Sequence, residues 1–215
     1  MNKPIRVVPA VLTDDPRTLA GLMQQAGTFT DYVQVDIMDG KFVPSSSVTS
    51  EHLAAIKTRL KWEVHLMVEH PEQQIPAFKE AGASRAIFHY EATTSHSQVI
   101  SLVRSLGMEV GIAVNPETPV SKIKPLTGEV DSILFLSVHP GFYGAKFIPE
   151  VLDKIKELRQ ARPKLEIAID GGVSRNNIVQ IAASGVNMIC VGSAVFLQPQ
   201  PAEAYQALVK LANQP

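Results

Sequence analysis

Cysteine is nearly absent from this 215-residue chain, which has only Cys190, in the apolar run Met188-Ile189-Cys190-Val191. That excludes a disulfide framework or a thiolate metal cluster within one chain and is expected of a protein kept in a reducing cytoplasm. Charge of one sign is not in excess either. The 20 Lys and Arg against 21 Asp and Glu leave a net charge of −1, so nothing recommends nucleic acid as a partner. No apolar run is long enough to cross a membrane: Val7–Leu12 is interrupted by Pro9 and closed by Asp14-Asp15, too short for a membrane or signal segment. No Ser/Gly linker, charge block or low-complexity tract marks a boundary. At 45% apolar residues the expectation is a single globular domain over 1–215.

The chain has a regular alternation of short β-branched runs with longer amphipathic stretches. The runs are Arg6–Val11, Tyr32–Asp36, Lys61–Met67, Arg85–His89, Glu109–Val114, Ile133–Val138, Glu166–Ile169 and Met188–Val191. Helix ends punctuate the stretches between them: Asp15-Pro16 opens the first, Pro71 opens the third, and Gly82, Gly107 and Gly185 close later ones. Pro76 falls inside the third pattern, and Val120–Leu126, with Pro125, allows barely two turns. Eight β-then-α units with right-handed crossovers predict an α/β fold, a closed (β/α)8 TIM barrel rather than an open doubly wound sheet.

In such a barrel the chemistry sits where the strands run into the βα loops. Seven of the eight runs end there in Asp36, His65, His89, Asn115, His139, Asp170 or Gly192-Ser193. Period-two alternation puts Gln34, Asp36 and Met38 on one face of the second strand and His65 with Met67 on one face of the third. If both faces point inward, Asp36 and His65 are neighbours, and Asp170 faces them from the seventh strand. Two carboxylates flanking a substrate suit removal and return of a proton. Taken singly, Asp36 also reads as a cap and Asp170 as a turn residue. His65 also reads as a hydrogen-bonded core histidine, the role expected of His89 and His139, and Met38 and Met67 as filler. Backbone-rich segments after the last three strands, Gly141-Phe142-Tyr143-Gly144, Gly171-Gly172 and Gly192-Ser193, let amides approach a phosphate, with a short helix starting near Ser193.

The stretch Val35-Asp36-Ile37-Met38-Asp39-Gly40-Lys41-Phe42-Val43-Pro44 resembles the strand-two motif of the ribulose-phosphate 3-epimerase family. His65-Leu66-Met67-Val68, Asn115-Pro116-Glu117-Thr118-Pro119, Val138-His139-Pro140-Gly141-Phe142, Lys146-Phe147-Ile148-Pro149 and Ile169-Asp170-Gly171-Gly172-Val173 follow in order. The resemblance implies a barrel of the ribulose-phosphate-binding type and epimerisation at C3 of a ketose phosphate, with Asp36 and Asp170 as the acid/base pair. It implies a divalent metal, zinc, iron, manganese or cobalt, held by Asp36, His65 and Asp170. It implies a phosphorylated ketose contacted by His65, Met38, Met67 and the glycine segments, and association into a homo-oligomer. This chain departs from the family at Gln34, where the second metal-binding histidine belongs, at Ala10 for serine, Leu136 for methionine and Ala145 for glutamine. These departures keep two other readings open, an altered ketose phosphate substrate and a sugar-phosphate-binding protein without turnover. The Asp-x-Lys-x-x-Asp run of related decarboxylase barrels has no match in Asp36-Ile37-Met38-Asp39.

Overall fold

A computed structural model describes residues 4–140 and 146–214. Its eight strands are β1 (Arg6–Val11), β2 (Tyr32–Met38), β3 (Lys61–Met67), β4 (Arg85–His89), β5 (Glu109–Val114), β6 (Ser132–Leu136), β7 (Glu166–Asp170) and β8 (Met188–Val191). All pair in parallel and in chain order, and β8 returns to β1, so the sheet closes into a barrel. The strands are β-branched and apolar on both faces because helices cover the outside and side chains fill the inside. Val33, Val35 and Ile37 of β2 pack outward beneath the helices. Val8, Ile87, Leu134, Ala168 and Met188 fill the interior.

Helices α1 (Pro16–Ala26), α2 (Ser50–Ala54), α3 (Pro71–Glu80), α4 (His96–Ser105), α5 (Val120–Ile123), α6 (Val151–Ala161), α7 (Ile178–Ala183), α8 (Ser193–Phe196) and α9 (Pro201–Ala212) follow the strands. Asp15 caps α1 by accepting the N–H groups of Arg17 and Thr18 at 3.1 and 3.2 Å, and Pro16 occupies the first turn, where no N–H is needed. The third helix runs through Pro76 without stopping. Val120–Ile123 makes one turn and passes into a 3-10 segment at Lys124–Gly128, as Pro125 dictates. No helix among the described residues is long and apolar enough to cross a membrane.

Three strands differ in their bounds from the sequence reading: β7 runs one residue further, to Asp170, and β6 starts one residue earlier, at Ser132. The second strand continues to Met38, because Met38 and Met67 pair across β2 and β3. The sixth stops at Leu136, because the Ser137 carbonyl accepts the Ile148 N–H at 2.8 Å instead of continuing the ladder to β7. His139 then lies beyond the strand. Its side chain is 72% exposed and sits 2.9 Å from Glu117, so it is a surface residue and not the core histidine expected.

Candidate active site at the barrel mouth

The register β2 to β3 sets Asp36 beside His65 and Met38 beside Met67. All four point into the barrel, which opens above them into a cavity of about 100 Å³. Ala10, Leu12, Leu136, Val138, Cys190 and the Gly171-Gly172 turn complete its wall. Asp170 ends β7, which β8 and β1 separate from β2, so the two carboxylates reach the cavity from well-separated strands.

They meet around two shared groups. Gln34, fully buried, donates its amide Nε2 to Asp36 Oδ1 at 2.8 Å and to Asp170 Oδ2 at 2.7 Å. Its Oε1 accepts the Cys190 thiol at 3.2 Å. His65 Nδ1 lies 2.9 Å from Asp36 Oδ1 and 3.7 Å from Asp170 Oδ2. Burial pushes the Asp170 carboxyl up to about 6, helped by the Asp36 charge and opposed by His65 and the Gln34 hydrogen bond. Burial alone would lower His65, but the hydrogen bond and charge of Asp36 and the charge of Asp170 outweigh it and raise the imidazole above its usual value.

Behind His65 a second histidine continues the chain. His89 Nε2 is 3.0 Å from His65 Nε2, and its Nδ1 is 3.3 Å from Glu91 Oε2. His89 is therefore a hydrogen-bonded core histidine, but one that touches the site. Glu91 in turn accepts the Asn115 N–H at 3.0 Å and the Thr118 hydroxyl. Glu91, Ser137 and the Cys190 thiol are the site's supports that sequence reading passed over. Only the His89-x-Glu91 spacing hinted at any of them.

The glycine turn after β7 is obligatory. Gly171 has φ +103° and a Cβ there would sit 2.5 Å from Val138 Cγ2. Gly172 has φ +63°, and a Cβ would meet the Phe147 backbone at 3.0 Å. Ser137 Oγ also donates to the Gly171 carbonyl at 2.7 Å, and Asn177 Nδ2 to that of Gly172 at 2.9 Å. Gly192 caps α8 by accepting the Val195 and Phe196 N–H groups, both at 3.0 Å, which leaves the Ser193 and Ala194 N–H groups with no acceptor inside the helix. Ala10 and Leu136 face the cavity. Gly141, Phe142, Tyr143, Gly144 and Ala145 lie outside the described residues.

One ligand atom from each of Asp36, His65 and Asp170 lies within 4.8 Å of the others. Two carboxylates and an imidazole are a donor set that first-row divalent cations accept, so these residues fit such an ion with three ligands. The fourth neighbour, the Gln34 Nε2, is a hydrogen-bond donor and cannot ligate in its present orientation.

The model of the ribulose-phosphate 3-epimerase family matches residues 6–196. The chain belongs to that family. It is 36% identical over 212 residues to the ribulose-phosphate 3-epimerase of Schizosaccharomyces pombe, covering 94% of this chain and 92% of that one. It is also 36% identical to the Bacillus subtilis enzyme of the same name, over 90% of this chain and 93% of the relative. Among solved structures, 3-hexulose-6-phosphate synthase from Salmonella typhimurium superimposes with a TM-score of 0.74, over 97% of this chain and 98% of that one. Its 16% identity makes it a neighbour in fold alone.

Proposed function

We propose that the protein epimerises C3 of a ketose phosphate, with D-ribulose 5-phosphate and D-xylulose 5-phosphate as the substrate pair. The observation that carries this reading is the pair of buried carboxylates brought from β2 and β7 to one cavity floor, sharing the Gln34 amide and the His65 imidazole. A planar substrate seated between them presents one face to Asp36 and the other to Asp170.

In one direction a carboxylate takes the C3 proton, and the C3–H electron pair moves into the C2 carbonyl to give an enediolate. The other carboxyl, holding a proton, delivers it to C3 from the opposite face and leaves the inverted centre. The two groups exchange roles in the reverse direction. The raised Asp170 carboxyl fits the protonated partner. His65, biased toward its charged form, places positive charge beside the developing oxyanion. Met38 and Met67 form an apolar wall with Val43, Leu12 and Phe42, which keeps water from the carbanionic carbon. Asp36, His65 and Asp170 would hold a divalent cation, zinc, iron, manganese or cobalt, which when bound supplies Lewis-acid stabilisation of that oxyanion. The phosphate is assigned to the backbone of Gly171-Gly172 and Gly192-Ser193. The reading places the protein in the cytoplasm with other enzymes of sugar phosphates.

Gln34 favours a second reading, binding of a sugar phosphate without turnover. One experiment separates the two. Chelator-treated protein is given D-ribulose 5-phosphate in deuterated water, with and without each divalent metal, and C3 deuterium and xylulose 5-phosphate are followed. Deuterium at C3 with formation of the epimer is expected. Binding of the sugar phosphate with no exchange under any metal would replace epimerisation by the second reading.

A further inference from the structure

Every polar atom of the Gln34 side chain is engaged, and both hydrogens of its amide go to carboxylates from different strands. Two buried carboxylates whose ligand atoms approach within 4.8 Å repel one another unless a cation or directed donors lie between them. A primary amide supplies two such donors from one nitrogen, whereas an imidazole nitrogen supplies at most one. The partners also fix which way the amide faces. Turned over, it would set Oε1 against two carboxylate oxygens and offer its N–H groups to a thiol, a weak acceptor.

We propose that Gln34 is a positioning residue that clamps Asp36 and Asp170 through its two amide N–H groups, so that the carboxylate pair stays assembled without a cation and binds a divalent ion only weakly. For an ion to gain a fourth protein ligand the amide must release both carboxylates and rotate by half a turn, which also takes Oε1 away from Cys190. The site thus trades metal affinity for metal-independent order. The inference deepens the two-aspartate reading and rests on it for the purpose of the pair. Its test needs no turnover, so an inactive protein with an intact clamp would overturn that reading alone.

The full chain, stripped with chelator, is titrated with Mn²⁺ and followed by the loss of the free-ion electron paramagnetic resonance signal, for the wild type, Gln34→His and Gln34→Leu. Melting temperatures are taken in chelator and in saturating Mn²⁺. Gln34→His is expected to bind Mn²⁺ at least about tenfold more tightly than the wild type. Wild-type melting is expected to be insensitive to chelator. Gln34→Leu should melt several degrees lower in chelator and recover with Mn²⁺, because the ion then does the work of the amide. A residue that only fills space would lose the same stability with and without Mn²⁺. Equal Mn²⁺ affinity of the wild type and Gln34→His, or a Gln34→Leu loss that Mn²⁺ does not restore, would overturn the proposal. Should Gln34→Leu not fold, the comparison with Gln34→His decides alone.

Discussion

Glu91→Gln perturbs the carboxylate pair from two residues away. The path runs from Glu91 Oε2 to His89 Nδ1 at 3.3 Å, from His89 Nε2 to His65 Nε2 at 3.0 Å, and from His65 Nδ1 to Asp36 Oδ1 at 2.9 Å. Burial tends to raise the Glu91 carboxyl, but hydrogen bonds from His89, Thr118 and the Asn115 N–H hold it below its ordinary value. An ionised carboxylate only accepts, so His89 carries its proton on Nδ1. Burial lowers His89 to about 4, with the Glu91 hydrogen bond opposing and the His65 charge adding to the shift. It is therefore neutral, its Nε2 bears a lone pair, and His65 must donate from Nε2. That leaves His65 Nδ1 for the two carboxylates or a cation. A glutamine at 91 presents its NH₂ group to His89 and reverses every donor in the series, ending with a neutral His65 protonated on Nδ1. Outer partners of this kind typically matter by about 10–100-fold, or roughly 1.4–2.7 kcal/mol. The expected result is that loss in kcat/KM for C3 exchange, with the His65 Nε2 resonance in ¹⁵N-edited spectra moving from N–H to lone-pair character. Unchanged tautomers of both histidines with kcat/KM within about twofold of the wild type would refute the reasoning.

Asp170→Asn removes one of the two proton carriers and should lower epimer formation by about 10²–10⁴-fold while leaving the melting temperature near that of the wild type; full epimer formation in the variant would remove Asp170 from the mechanism. Glu63, buried at the opposite end of the barrel, is pushed up to about 7 by burial against the opposing pull of Arg85. Its folded-state value lies above the unfolded one of 4.5, so its contribution to stability is full below about pH 4.5 and is lost as pH rises through 7, by up to roughly 3 kcal/mol. Thermal melts at pH 5 and pH 8 should therefore differ less for Glu63→Gln than for the wild type, and parallel pH profiles would contradict this. Gly171→Ala combines a left-handed φ of +103° with a 2.5 Å clash against Val138. Strain and overpacking together cost about 2–5 kcal/mol, a drop of roughly 10 °C in Tm at this size, and an unshifted Tm would show that the turn can relax.

The barrel was readable because its strands are buried on both faces. Such strands appear as unbroken β-branched runs, and β1, β3, β4, β5 and β8 begin and end at the residues the runs predicted. Asp36 beside His65 was readable for a related reason, since period two together with a parallel register leaves few ways to arrange two inward faces. His139 misled because its position after a strand-like run resembles that of His89, and only the Ile148 N–H, which takes the Ser137 carbonyl and ends the strand early, distinguishes them. The action of Gln34 was not readable at all. An amide donates or accepts according to its partners, and beside the nearby Asp36 these lie on β7 and β8, 136 and 156 residues along the chain. Cys190 stood out only as a lone cysteine in an apolar run, for the same reason.

The polar residues inside the barrel fall into two layers, and the difference between them bears on function. At the closed end, the Arg85 guanidinium reaches Glu63, Glu109 and Glu166, and Tyr32 donates to Glu63 at 2.8 Å. Even a permanent cation offsets only part of the cost of burying those carboxylates, since Glu63 is still pushed up to about 7. The apolar layer of Ile87, Leu134 and Ala168 lies between that cluster and the mouth. At the mouth, the described residues give Asp36 and Asp170 no arginine or lysine, but a neutral amide, an imidazole and, for Asp170, the Gly171 backbone N–H. Compensation there is incomplete, and the Asp170 carboxyl retains its proton up to about pH 6. A fully compensated carboxylate would hold its charge too firmly to accept and return a proton, whereas one poised near neutrality is close to both states at once. Both layers thus hold a carboxyl poised near neutrality, and access separates them: Asp170 lines the cavity where a substrate can reach it, whereas Glu63 lies beneath the apolar layer.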